Sequence, residues 1–310
     1  MRPDPGAPRP EAFQPGPPND PLTFVHRTGA WDLTRRAHVV GILNLTPDSF
    51  FDGGLYNTRE PALARAEAIV SEGADGIDVG GQSTRPGSVS LGPEEEWLRL
   101  ETPLREIVAR VPLPVSIDTY YAEVARRALD EGVSIVNDVS ALGVDVALAD
   151  STARAKAGLI LMHSHGAPDD LHAPREYHDV AGSVRAFLEE RMLLAESRGV
   201  ARERIALDPG IGFSKRAEQS LEVLGRLPLI CALGRPVYVG LSRKSFLGAL
   251  TGEPKEGRLA AGLAATVLAY ALGARIFRTH DVRETVAALR LAERLASESA
   301  FDPLEQGAGR

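Results

Sequence analysis

Short apolar runs alternate with longer amphipathic stretches along the chain from residue 39 onward. The short runs are nearly continuous in Val, Ile and Leu, a pattern typical of parallel strands that are covered on both faces. We predict strands at 39–45, 76–80, 115–118, 134–139, 158–163, 205–208, 237–241 and 275–278. The 3.6-residue period predicts helices at 60–72, 93–110, 121–131, 144–157, 180–198, 217–226, 258–272 and 282–297.

A strand and a following helix repeated eight times predict an α/β fold of the (β/α)₈ or TIM-barrel type. The alternative is a doubly wound open sheet, but no G-x-G-x-x-G follows the first strand. Two short strands at 23–25 and 31–34, around a turn at 27–29, predict an N-terminal β-hairpin at the bottom of the barrel. Glycines that follow the helices are expected to adopt the left-handed conformation of a C-cap; these are Gly73, Gly132, Gly158, Gly199 and Gly273.

Composition indicates one barrel domain with short extensions. Residues 1–21 are rich in Pro and Gly and predict a flexible arm, residues 22–298 form the barrel domain, and residues 299–310 form a C-terminal tail. Hydrophobic residues make up 44% of the 310 residues and charged residues 25%, which is ordinary for a protein with a sizeable core. The net charge of -7 argues against a general nucleic-acid binder.

Nothing in the sequence predicts a membrane anchor or a disulfide. The longest apolar run, residues 259–272, is too short to span a bilayer. Cys231 is the only cysteine, so an intramolecular disulfide is excluded and a cytoplasmic location is expected. Its apolar neighbours favour a packed thiol over a nucleophile.

Polar residues stand at the carboxyl end of nearly every predicted strand, whereas the turns from helix to strand carry Gly, Ala, Val and Pro. In a parallel barrel the carboxyl ends converge on one rim, where active sites form. No Ser-His-Asp or Cys-His nucleophile arrangement emerges from the pattern. The rim residues are Asn44, Gly80–Gly87, Asp118, Asn137, His163, Asp208–Lys215, Ser242–Lys244 and Arg278–Asp281.

Two sets of rim residues suggest the ligand. Donors suited to phosphate oxygens are Arg85, Lys244, Arg278 and His280. An opposite corner of acceptors suits a heterocycle with a row of N–H donors, such as a pterin or guanine edge; it comprises Asp118, Asn137 and Asp208. Either aspartate alone has the alternative role of a helix N-cap.

Eight motifs then carry a family resemblance. They are LNLTPDSFFDGG, GGQSTRPGS, SIDTYYAEVA, VNDVSA, LMHSHG, LDPGIGFSK, GLSRKSFLG and RTHDV, in this order over residues 39 to about 282. Together they resemble dihydropteroate synthase, a pterin-binding TIM-barrel family. The resemblance implies a transferase that joins 6-hydroxymethyl-7,8-dihydropterin diphosphate to p-aminobenzoate, giving 7,8-dihydropteroate and pyrophosphate. The alternatives are a pterin-binding methyltransferase barrel that works with a cobalamin protein, and a catalytically silent pterin-binding paralogue.

The resemblance also implies a role for each matching residue. The pterin positions are Asp118, Asn137, Asp208 and Lys244, and the diphosphate positions are Asn44, Thr84, Arg85, Arg278 and His280. Asn44 matches a residue that helps to hold Mg²⁺. We expect the p-aminobenzoate ring and carboxylate to meet Phe50, Pro86, Phe213 and Ser242. The catalytic set is Asp118, Asp208, Lys244, Arg278 and His280, and Arg278→Ala is expected to impair diphosphate binding more than pterin binding.

Some features depart from the family or stay outside these roles. Gln82 stands where the family usually has Glu, Tyr121 where Lys is common, and His165 where Gln is frequent. The spacing of His163, His165, His172 and His178 is irregular, which favours surface or supporting roles over a metal cluster. Residues 46–54 are predicted to close over the site together with residues 85–88. The family further implies a homodimer, for which the Ala-rich helices within 258–297 offer a surface.

Overall fold

The computed structural model describes residues 22–45, 59–82, 90–165, 171 and 173–297. Eight parallel strands form one sheet in the order β8-β7-β6-β5-β4-β3-β10-β9. An isolated parallel bridge between Leu207 and Val237 joins the two outer strands, so the sheet is nearly closed into a barrel. The strands are β3 His38–Asn44, β4 Gly76–Gly80, β5 Val115–Asp118, β6 Ile135–Asp138, β7 Gly158–Met162, β8 Ile205–Asp208, β9 Tyr238–Gly240 and β10 Ile276–Thr279. The predicted (β/α)₈ barrel is confirmed.

Helices surround the barrel. They are α1 Arg59–Ser71, α2 Pro93–Arg110, α3 Ala122–Asp130, α4 Ala147–Ala155, α5 Val180–Ser197, α6 Ala217–Gly225, α7 Leu227–Cys231, α8 Ser245–Thr251, α9 Leu259–Ala271 and α10 Val282–Ser297. The sequence did not predict α7 and α8, because neither is long enough for a helical period to show. Pro228 lies in the first turn of α7, where its missing N–H costs nothing.

The strands alternate between two apolar layers. Val39 and Leu43 on β3 pack in the large core beneath the helices, whereas Val40 belongs to a smaller cluster inside the barrel. Burial on both faces explains why the strand sequences read as continuous apolar runs. This framework holds the carboxyl ends of the strands in fixed positions.

An antiparallel hairpin, β1 Thr23–His26 and β2 Gly29–Asp32, closes the amino-terminal end of the barrel. The predicted second strand began two residues too late, since Gly29 already pairs with His26 across a two-residue turn. Phe24 and Trp31 are buried with residues of the barrel interior, which confirms the predicted plug.

Gly158 corrects one expectation, whereas Gly73, Gly132, Gly199 and Gly273 have the predicted positive φ. Gly158 is the first residue of β7, and an added Cβ would lie 2.7 Å from the Phe24 ring. A close approach of the plug, rather than a left-handed cap, explains this glycine.

The predicted arm at 1–21 and tail at 299–310 lie outside the described residues. In the part of the chain that is described, no helix is long and apolar enough to cross a membrane. Cys231 is half-buried, and burial raises the pKa of its thiol to about 11, which argues against a reactive thiolate.

Candidate active site

A cavity of about 490 Å³ opens at the carboxyl ends of the barrel strands, within the range of small-molecule sites. The predicted site residues that line it are Asn44, Asp118, Asn137, Asp208, Phe213, Ser242, Lys244, Arg278 and His280. Phe50, Thr84, Arg85 and Pro86 lie outside the described residues, as do the lid segments 46–54 and 85–88. The structure therefore brings the described candidates to one place.

Strand register places these side chains. Gly80 pairs with Asn44 on one side and with Asp118 on the other, so both residues stand at the same height on the rim. Asn137 pairs with Asp118 from the next strand. The last residue of β8, Asp208, reaches the cavity from the far side of the barrel.

An ionic cluster forms one wall of the cavity. Arg278 donates from Nε to Asp78 Oδ2 at 2.6 Å and from a terminal nitrogen to Asp118 Oδ2 at 2.9 Å. Asn137 Nδ2 donates to the same Asp78 oxygen at 3.1 Å. The acceptor corner and the predicted diphosphate arginine are thus in direct contact, whereas the sequence interpretation had set them opposite each other.

Asp78 was missed as a site residue. It lies within β4 and its side chain is fully buried. The available signal was a carboxylate inside an apolar strand, since Asp is almost never fully buried unless it is paired. That signal identifies the residue but not its partner, because Arg278 is 200 positions away in the chain.

Burial changes the titration of the lining groups. It raises the pKa of Asp118 to about 7, although Arg278 acts in the opposite direction. Burial likewise raises the pKa of Asp208, against the lowering effect of Lys244. For Lys244 the same effect lowers the pKa to about 8. A ligand that brings N–H donors into the cavity favours the carboxylate forms and therefore releases protons.

The loop after β8 forms the floor of the cavity through Phe213. Lys244 Nζ lies 4.5 Å from the centre of the Phe213 ring and donates to the Ile211 carbonyl. Behind the loop, Lys215 Nζ lies 2.9 Å from His163 Nδ1 and donates to the carbonyls of Gly210 and Phe213 at 3.0 and 3.1 Å. Lys215 is buried, and its hydrogen bonds to two carbonyls hold the loop in place, a role that the sequence did not indicate.

Backbone conformation also fixes this loop. Gly210 has φ +63°, and a side chain there would collide with the carbonyl of His163. Ser214 adopts φ 51°, and its hydroxyl accepts from His165 N at 3.0 Å. Such constrained positions occur where a structure must hold a functional loop in one conformation.

Ser242 and His280 line the rim of the cavity in the segments that follow β9 and β10. Ser242 Oγ donates to Asp281 Oδ2 at 3.0 Å and lies 3.3 Å from His280 Nδ1. This is not a Ser-His-Asp triad, because a triad places histidine between the hydroxyl and the carboxylate. Helix α8 begins at Ser245, three residues after Ser242.

Two of the residues that depart from the family pattern, Gln82 and Tyr121, form hydrogen bonds at the two ends of the loop that follows β4. Gln82 Nε2 donates to Glu96 Oε2 at 2.7 Å, and Gln82 Oε1 accepts from Leu91 N at 3.0 Å. Glu96 is fully buried, and burial raises its pKa to about 7. Tyr121 donates to the Leu91 carbonyl at 2.8 Å. These residues hold the base of the loop, and Gln82 also lines the cavity.

The histidines do not form a metal cluster in the described structure. His163 is fully buried behind the β8 loop and contacts the ring of His165, whereas His172 lies outside the described residues. Among the residues that are described, no group of three or more His, Cys, Asp or Glu has a metal-binding arrangement.

Comparisons with known proteins agree with this geometry. The Pterin binding enzyme family model matches residues 40–280. The chain is 42% identical over 266 residues to the dihydropteroate synthase of Synechocystis, covering 86% of this chain and 92% of that protein. The dihydropteroate synthase of Xanthomonas albilineans, solved with 4-aminobenzoic acid, is similar with a TM-score of 0.83 and 40% identity, covering 90% of this chain and 99% of the other. The same enzyme in complex with 7,8-dihydropteroate gives a TM-score of 0.78 at 38% identity, covering 86% and 96% of the two chains.

Proposed function

This chain belongs to the dihydropteroate synthases of the pterin-binding enzyme family, and we propose that it catalyses their reaction by releasing diphosphate before the amine attacks. The reaction joins 6-hydroxymethyl-7,8-dihydropterin diphosphate to p-aminobenzoate and releases pyrophosphate. The carbon that is attacked is a methylene next to an electron-rich ring, so its bond to oxygen can break first. The protein must then stabilise the cationic pterin and the leaving anion, and exclude water.

The acceptor corner carries this proposal. Asp118, Asn137 and Asp208 line one cavity and offer oxygens at the ends of three strands. A pterin edge presents ring and amino N–H groups that match such acceptors. Once ionised, the two carboxylates favour the positive charge that develops on the ring as diphosphate leaves.

Diphosphate is proposed to bind beside this corner. Arg278 and His280 both line the cavity, and Lys244 approaches from β9. The guanidinium of Arg278 carries five N–H donors, of which Asp78 and Asp118 occupy only two. The remaining donors are available to phosphate oxygens, while the two that are used balance the charges of Asp78 and Asp118.

Mg²⁺ fits the residues at this position as a cofactor that arrives with the diphosphate. Mg²⁺ commonly binds through one or two protein oxygens together with substrate phosphates, and Asn44 supplies an amide oxygen next to Gly80 and Asp118. When bound, the ion would offset charge on the departing pyrophosphate. Asn44 would hold it there.

For p-aminobenzoate, Phe213 offers a ring face at the cavity floor. The hydroxyl of Ser242 already donates to Asp281, so we propose that backbone N–H groups near Ser242 contact the substrate carboxylate. Phe50 and Pro86, which lie outside the described residues, are proposed as further contacts for p-aminobenzoate. The complex of the Xanthomonas albilineans enzyme with 4-aminobenzoic acid supports this substrate.

A homodimer is proposed from the outer helices. Leu268 on α9 and Leu291 on α10 are 60% and 61% exposed, and the two helices pack against each other. Exposed leucines on two packed helices offer apolar surface to a second copy of the chain. The cytoplasmic location stays a prediction.

Release of pyrophosphate tests the proposed function. Purified protein supplied with the pterin diphosphate, p-aminobenzoate and Mg²⁺ should release pyrophosphate, and release should depend on all three. A parallel measurement of pterin binding separates the alternatives. Binding without release would identify a silent pterin-binding paralogue and overturn the synthase proposal.

A further inference from the structure

We propose that Asp78 is a positioning residue that fixes the side-chain amide of Asn137 with its oxygen toward the cavity, so that the site selects a ring edge bearing an N–H donor at that point. The inference rests on the proposed function, because it concerns how the same cavity recognises the pterin. Asp78 itself is fully buried on β4 and does not line the cavity.

The contacts of Asp78 determine which end of the amide is available. Its Oδ2 accepts from Asn137 Nδ2 at 3.1 Å and from Arg278 Nε at 2.6 Å. A carboxylate only accepts hydrogen bonds, so the NH₂ end of the amide must face it. The other end, Asn137 Oδ1, is then the group that a ligand in the cavity meets.

Rotation of the amide by 180° is strongly disfavoured. It would place Asn137 Oδ1 against Asp78 Oδ2 with no hydrogen between them, in a region without bulk water. Asp78 Oδ1 is buried and has no hydrogen-bond partner among the described residues, and neither oxygen of a carboxylate carries a hydrogen that could relieve the conflict. The acceptor character of Asn137 is therefore set by Asp78 before any ligand arrives.

A competing interpretation makes Asp78 only a counter-charge for Arg278. The two roles separate at Asp78→Asn and Asp78→Leu, because both variants remove the charge but only the first retains an oxygen that can accept from Asn137 and Arg278. Asp78→Leu has a side chain of similar length but no oxygen. A pure charge role predicts that both variants behave alike.

Binding of 6-hydroxymethyl-7,8-dihydropterin and of pyrophosphate is the readout. Asp78→Leu should weaken pterin binding by roughly tenfold or more. Arg278 Nε and Asn137 Nδ2 both donate to Asp78 Oδ2, so without that oxygen Asn137 Oδ1 turns toward Arg278 and the NH₂ group turns toward the cavity, where it faces the N–H of the ligand. Asp78→Asn should retain pterin affinity within about threefold of the native protein, a difference too small for the loss of a buried hydrogen bond. Neither variant should lose pyrophosphate binding, since Arg278 remains. Equal pterin loss in both variants, or full affinity in Asp78→Leu, would overturn the inference.

A measurement on the native protein covers the case in which Asp78→Leu does not fold. The side-chain NH₂ signals of Asn137, assigned by NMR against the Asn137→Asp spectrum, should already be protected from solvent exchange without ligand. Addition of the pterin should leave that protection unchanged. Protection that appears only with pterin would mean that the NH₂ group faces the cavity, and would contradict the inference. Because this readout needs no turnover, it remains decisive even if the protein releases no pyrophosphate.

Discussion

Removal of the Arg278 side chain is the strongest test of the ionic cluster that Arg278 forms with Asp78 and Asp118. Arg278→Met retains much of the side-chain length but leaves Asp78, which is fully buried, and Asp118, whose side chain is 11% exposed, without their guanidinium. Breaking a buried pair by removing one partner costs roughly 3–5 kcal/mol, because the remaining charge is desolvated. The variant should therefore be less stable by about that amount at pH 8.5.

The pH dependence of the stability loss shows whether the two carboxylates cause it. The pKa of Asp118 is raised to about 7 in the native protein, so its folded form holds a proton that the unfolded chain has already lost, and this group's contribution to stability falls as pH rises from about 4 toward 7. Arg278 lowers that pKa, so its removal should raise the pKa of Asp118 further, and the decline in stability should then continue to higher pH. If the pKa rises by one to two units, the stability loss should be roughly 2 kcal/mol smaller at pH 6 than at pH 8.5.

Urea denaturation at the two pH values, followed by tryptophan fluorescence, measures this difference. Arg126→Met is the matched control, because Arg126 pairs with exposed Glu123 and Asp130 and its removal should leave the midpoint almost unchanged at both pH values. An equal loss at pH 6 and pH 8.5 would show that Arg278 acts through packing and not through the two carboxylates. The same variant should weaken pterin as well as diphosphate binding, which revises the selective diphosphate loss expected from the sequence.

Two further predictions concern the loop base and the outer helices. Burial raises the pKa of Glu96 from 4.5 to about 7, so its contribution to stability also falls as pH rises between these values. Glu96→Gln should flatten the decline in melting temperature between about pH 5 and pH 7, and an unchanged slope would refute this role. Leu268→Glu combined with Leu291→Glu places charge on the proposed interface and should convert the homodimer to a monomer, as measured by light scattering. Leu193→Glu, at an exposed leucine on α5, is the control and should leave the dimer intact. A native protein that is already monomeric would refute the dimer.

The barrel was predictable because its signals are local. A strand such as β7, in which five successive residues are buried, can be recognised from its apolar composition. The polar residue that ends such a strand must lie on the rim of the barrel. Asn44, Asp118 and Asp208 were identified by that rule. Their convergence on one cavity follows from the closed sheet and needs no knowledge of individual contacts.

The contacts themselves were not predictable, since they join distant parts of the chain. Asp78 and Arg278 meet only because β4, β3 and β10 are neighbours in the sheet. Lys215 resembles a surface lysine in the sequence, yet it is buried against two carbonyls and His163, and burial lowers its pKa to about 7. Sequence patterns report burial along an element, whereas these pairings depend on three-dimensional register.

The position of Arg278 bears on how the proposed reaction is coordinated. Its guanidinium bridges Asp78 and Asp118, and Arg278 lines the same cavity as Asn44 and His280. In the proposed reaction, negative charge grows on the departing diphosphate beside Arg278 while positive charge grows on the pterin beside Asp118. The guanidinium would then stabilise the leaving anion directly and favour the ionised form of Asp118, so both halves of the proposed dissociative transition state would depend on the same side chain. Arg278→Lys retains a positive charge but not the planar fork that spans two carboxylates and a phosphate, and it is therefore not a conservative replacement.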